Sequence, residues 1–157
     1  LNQGEDLLLV LDPQTLDIEA SILLSGVGGN FVAIPNGRRL YAPDDVGLAV
    51  IDTSTNAIIG RIDLEIDQGA RSGDGSGAGV GSFSRSLIGV TPDGAFVYAL
   101  STAPGASKGQ LSVISTGLDT VIDTVETLFF PTGTAVTPDG ANVLAPIQQM
   151  TVMQRIS

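Results

Sequence analysis

At 157 residues, 43% hydrophobic and 15% charged, the chain has the length of one ordinary domain and a globular rather than a disordered composition. Its net charge of −10, from 7 basic and 17 acidic residues, excludes the basic footprint of a nucleic-acid binder and opposes adsorption to anionic membranes. It has no cysteine and no histidine, which removes disulfides, thiolate and imidazole metal sites, cysteine nucleophiles and Ser-His-Asp triads, and its apolar runs are too short to insert in a membrane as helices.

The first predicted strand is the apolar run Leu7 to Leu11, which ends on Asp12 in an expected Asx turn. The second alternates. Leu16, Ile18, Ala20, Ile22 and Leu24 fall on one face and Asp17, Glu19 and Ser21 on the other, the period of a strand with one wet side. Next, "FVAI" runs into Pro35, Asn36 and Gly37, and "RRLYA" leaves them. Proline presets φ for a turn, Asn or Asp bonds local backbone, and glycine accepts positive φ, so this phrase predicts a tight hairpin. Arg38 and Arg39 are expected to decorate an exposed edge.

Asp44 and Asp45 follow in "PDD", read as a connection between units and as candidate binding carboxylates, with a solvated turn as the plainer alternative. The cycle then restarts. "GLAVIDTST" repeats the apolar strand and turn at Asp52, and Ile58, Gly60, Ile62, Leu64 and Ile66 repeat the alternation. The stretch 67–85 is too rich in Gly and Ser to fill a core and reads as a loop insertion. Within it, Asp74 and Arg85 are the candidate ligand contacts. One carboxylate is too few for a calcium site, and "GSGAGVG" lacks the Lys-Ser/Thr and the helix of a phosphate loop. Ser84 and Ser86 have no histidine base.

The turn phrase returns at Pro92, Asp93 and Gly94 and again at Pro138, Asp139 and Gly140, with "QLSVISTGL" and "TVIDTVETL" between them. Units of 5–45, 46–101 and 108–146 result, and 147–157 reads as the first strand of a fourth. Without the insertion each unit is roughly 40 to 46 residues, the period of a four-stranded propeller blade. Aspartates recurring at matched positions argue for turn structure rather than catalysis. No segment has a sustained helical period. The expected fold is all-β, with blades of four antiparallel strands, about three blades plus one strand, forming part of a larger or assembled propeller.

"LAVIDTSTNAIIGRIDL" followed by "IGVTPDGAFVYAL" resembles the YVTN-type β-propeller repeat, and the likeness runs along essentially the whole chain. The naming tetrapeptide is worn, with "LYAP", "VYAL" and "VLAP" in its place. The resemblance implies a surface-layer or cell-envelope context, extracellular or periplasmic, and a binding or structural scaffold with no catalytic residue, metal or cofactor of its own. The alternative is a segment of a propeller enzyme, similar to lactonases or periplasmic dehydrogenase large subunits, whose active groups lie partly in other blades. Three blades leave open faces and edges. The expected partners are therefore the remaining blades of a longer protein (the chain starts at Leu1, as a processed or excised piece would), further copies of this chain, or another envelope protein. An isolated monomer is expected to be neither stable nor soluble.

Overall fold

The computed structural model describes residues 6–25, 30–44, 47–64, 84–102, 108–128, 130–131 and 133–148, and among them there is no helix. β1 (Asp6–Leu11) and β2 (Ile18–Leu24) form an antiparallel hairpin. β3 (Val32–Ala33), β4 (Arg39–Pro43), β5 (Gly47–Asp52) and β6 (Ala57–Asp63) form a four-stranded antiparallel sheet in chain order. β7 (Ser84–Val90), β8 (Phe96–Thr102), β9 (Lys108–Ser115) and β10 (Thr120–Leu128) form a second sheet of the same order.

The last elements are β11 (Phe130–Pro131), β12 (Ala135–Val136), β13 (Val143–Leu144) and β14 (Ile147–Gln148), paired β12 with β13 and β11 with β14. Phe130↔Gln148 occupies the repeat position of Ser84↔Thr102 at the far end of the β7–β8 ladder. Residues 130–148 are therefore one long hairpin interrupted in its middle. Pro146, which has no N–H to donate, packs there against Gly133. Ile147 and Gln148 thus pair back onto this hairpin instead of opening a fourth unit. Residues 149–157 lie outside the described residues.

Each complete sheet begins with the Pro-Asx-Gly hairpin and ends with the second hairpin, whose turn opens on Asp52 in the first sheet and on Ser115 in the second. The sheets are thus half a unit out of step with the sequence units, although the repeat is the same. As a result, Pro43 to Gly47 connects β4 to β5 inside one sheet, and the segment 65–83 connects one sheet to the next.

The hydrophobic core lies between the sheets. Tyr41, Leu48, Val50, Ile62 and Leu64 of the first sheet cluster with Ile88, Val97, Ala99 and Ile114 of the second. On the opposite side of the first sheet, Ala42, Ala49 and Ile51 cluster with Ile22 and Leu24 of β2. A strand with neighbours on both faces needs apolar residues on both, and β5 is buried from Gly47 to Ile51. The expected single-faced alternation of the fourth strands does not hold along their whole length. The ladders slip between Val10 and Leu11, between Val50 and Ile51, and between Val121 and Asp123, and each bulge exchanges the faces beyond it. Ile58 therefore packs with the β2 side while Ile62 faces the second sheet.

Candidate functional site

The turn phrases behave as their residues dictate. Gly37, Gly94 and Gly140 have φ of 70°, 72° and 71°, and each donates its N–H to the carbonyl three residues back, at 2.8 Å. Asp93 accepts the Ala95 N–H at 2.9 Å and the Thr91 hydroxyl at 2.6 Å. Asp139 repeats both bonds with Ala141 and Thr137, and Asn36 accepts the Arg38 N–H. Asp12 accepts the N–H groups of Gln14 and Thr15, and Asp52 those of Ser54 and Thr55 together with the Ser54 hydroxyl.

These bonds favour the ionised carboxylates. Asp93 and Asp139 sit below the usual carboxylate range through their threonine hydroxyls first and backbone N–H bonds second. Asp12 is lowered by the Thr15 N–H first, and Asp52 by the Ser54 hydroxyl first. A lowered carboxylate stabilises the fold above its unfolded value of 3.8, and that contribution is lost as pH falls through the folded value. Pro35, Pro92 and Pro138 with their Asx and Gly neighbours are thus turn-builders.

Asp44 departs from both of its readings. It is neither at a connection between units nor solvated, since its side chain is fully buried in the β4–β5 connection. Its Oδ1 accepts the Gly47 N–H at 3.0 Å, and its Oδ2 accepts Arg61 Nε at 2.8 Å. Gly47 is needed here for space, because a Cβ would lie 2.2 Å from the Ile62 carbonyl oxygen. Asp45 and Asp74 lie outside the described residues. Arg85 is placed by its backbone in β7.

Sequence reasoning missed a polar cluster between the sheets. Arg39, expected on an exposed edge, directs Nη1 onto both carboxylate oxygens of Asp119, at 2.7 and 2.8 Å, and onto the Thr116 carbonyl at 2.8 Å. Tyr41 donates its hydroxyl to the same carboxylate at 2.7 Å. Burial first, and then the hydrogen bond to Asp119, push the Tyr41 phenol up to about 12. Asp119 is available because its turn places it at φ 52°, the conformation that Asn56 and Leu16 adopt at the same repeat position. Superposing the three turns is the sequence signal that singles this position out.

Beside this cluster a cleft of about 390 Å³ opens between β6 and β9–β10. Arg61, Asp63, Gln110, Ser112, Thr120 and Thr124 contribute to its wall. Asp44 fixes Arg61 from behind, so the one candidate carboxylate that is described acts by orienting a cation at this cleft. Ile62 and Val121 line it as well, so the wall is about half apolar and half hydroxyl, amide, carboxylate and guanidinium, suited to a ligand with both an apolar face and hydrogen-bonding groups, and the volume lies within the small-ligand range. Among the described residues, no three acidic side chains gather in a way that could hold a metal ion.

No known protein family matches the sequence, and no curated protein matches it. Solved structures do. The hydrazine synthase of Kuenenia stuttgartiensis superposes with a TM-score of 0.59 at 19% identity, over 79% of this chain and 30% of that one. The Dos1 propeller superposes with a TM-score of 0.59 at 16% identity, over 88% of this chain and 36% of that one. The fold is part of a β-propeller. The chain spans about a third of the length of these propeller proteins, and its four-stranded sheets are blades stacked face to face.

Proposed function

We propose that the chain is a non-catalytic part of an extracytoplasmic β-propeller, a binding and structural scaffold of the YVTN type. The observation that carries this reading is how the acidic side chains are used. Asp12, Asp52, Asp93 and Asp139 are committed to turns, and Asp44 and Asp119 to ion pairs that support blades. The cleft between blades is the ligand site of this reading, with Arg61 and Asp63 among its lining residues. Its partners are the blades that finish the propeller, supplied by more chain, by further copies or by another envelope protein. The acidity and lack of cysteine suit a secreted or surface-exposed protein.

A second reading has one observation in its favour: a similar solved structure is that of a hydrazine synthase. On that reading the active groups come from several blades, some of them outside this chain. A panel of lactone-hydrolysis and dye-linked dehydrogenase assays separates the two. The scaffold reading predicts rates equal to buffer, and saturable turnover overturns it. Fractionation of the native host tests location, with the protein expected outside the cytoplasm.

A further inference from the structure

Two buried hydroxyls lie between the complete blades without a partner. The Oγ atoms of Ser101 and Ser112 make no hydrogen bond, and the two residues are 1% and 0% exposed. Register puts them on one face. Ser112 pairs with Ala99 and Ser101 with Gln110, and Ala99 and Ile114 belong to the core between the sheets. Side chains two apart on a strand share a face, so both hydroxyls are on the side of the first sheet, and Ser112 lines the cleft there. A hydroxyl that has left water without gaining a bond is destabilising, and it points to an occupant that the chain itself does not supply.

The rest of the lining narrows the chemistry of that occupant. Thr120 and Thr124 add two hydroxyls with no side-chain hydrogen bond among the described residues. Asp119 accepts three bonds, two from Arg39 and one from Tyr41. Its two oxygens have about four acceptor positions, so one is left for a donor. Hydroxyls that donate and accept, beside a carboxylate that accepts, match a ligand whose own polar groups are hydroxyls.

Charge narrows it further. Arg39 answers Asp119 and Asp44 answers Arg61, which leaves the lining with the Asp63 carboxylate and no unpaired cation among the described residues. On a chain of net charge −10, such a wall repels phosphates and carboxylates. A cation would find one carboxylate, and no three acidic side chains gather among the described residues. A neutral ligand fits best. Ile62 and Val121, which pack with the core between the sheets, offer it an apolar surface. A pyranose ring has this pattern, with a face of C–H groups and hydroxyls around its rim.

We propose that the cleft binds a neutral saccharide, its C–H face on Ile62 and Val121 and one of its hydroxyls bonded to Ser112 Oγ. Thr124, exposed and directly across the ladder from Ser112, is the side chain that turns aside for that bond to form. The inference rests on the reading above, in which this cleft is the ligand site, and names the class of ligand. The lining includes no aromatic ring on which a sugar could stack, so a single ring binds in the millimolar range.

Saturation-transfer NMR on the full-length protein in its native assembly tests it. The probes are the methyl glycosides of glucose, galactose and mannose, and the controls are cyclohexanol, cyclohexylammonium and inorganic phosphate. At least one glycoside should bind saturably and ahead of every control. Ser112→Ala should weaken that binding about 5-fold or more. The thermal midpoint should stay level or rise, because an orphan hydroxyl has been removed. Thr124→Val, at an exposed position, should weaken binding by a smaller factor. Absence of glycoside binding overturns the proposal, and preference for cyclohexylammonium or phosphate overturns the neutral ligand. Binding that Ser112→Ala leaves unchanged overturns the role of the buried hydroxyl, and a lowered midpoint shows that Ser112 has a partner in the fold and overturns the premise. None of these measurements reads turnover or location, so the scaffold reading stands or falls separately.

Discussion

Two junctions in this molecule are built from the same repeat and differ in one respect. Between β3–β6 and β7–β10 a complete blade meets a complete blade, and the facing residues are buried. On the far side of β1–β2 no blade is present among the described residues, and leucines at the equivalent positions are half exposed. The sequence is as apolar at the open junction as at the closed one. Burial here is a property of the array, decided by the neighbour rather than by the strand.

Placing one charge at matched positions gives the largest contrast. Ile62→Asp puts an unpaired carboxylate into the closed junction and should cost about 3 to 5 kcal/mol. Val125→Asp places the same group at the open one and should cost one copy about 0.5 kcal/mol or less. Urea melts at submicromolar protein check both. Equal costs would break the comparison.

The polar cluster should matter less than the core beneath it. Asp119→Ala leaves the Tyr41 hydroxyl without this acceptor and Arg39 with the Thr116 carbonyl but no counter-charge, for about 1 to 2 kcal/mol given the partial exposure of the ion pair. Asp119→Asn keeps an acceptor and should lose less in the same urea melts. Tyr41 provides a pH signature. Its phenol is raised from 10 to about 12 in the fold, so the fold holds the proton more tightly than the unfolded chain. Stability should be unaffected by this group below pH 10 and should fall between pH 10 and 12. In Tyr41→Phe, which should itself cost about 1 kcal/mol, that alkaline fall should disappear from thermal melts.

The strands, their turns and the repeat were legible because they depend on local chemistry. Pro35-Asn36-Gly37 and its two copies admit few backbones other than a hairpin. The blade boundary was not legible, because a repeat reads the same from any starting point. Only pairing shows that Gly47 to Asp63 belongs with Val32 to Pro43 rather than with the strands that follow. The bulge between Val50 and Ile51 was hidden too, so Ile58 and Ile62 looked like one face. Asp44 and Arg39 were misjudged for a common reason. A charged residue beside a turn is solvated by default, and its partner, Arg61 or Asp119, becomes visible only when the strands are laid side by side.

Face-to-face stacking of the two complete blades is the central claim, and methyl NOE spectroscopy reads it directly. Leu48, Val50 and Ile62 of the first sheet are expected to show contacts to Ile88 and Ile114 of the second. Methyl contacts confined within each sheet would contradict the account.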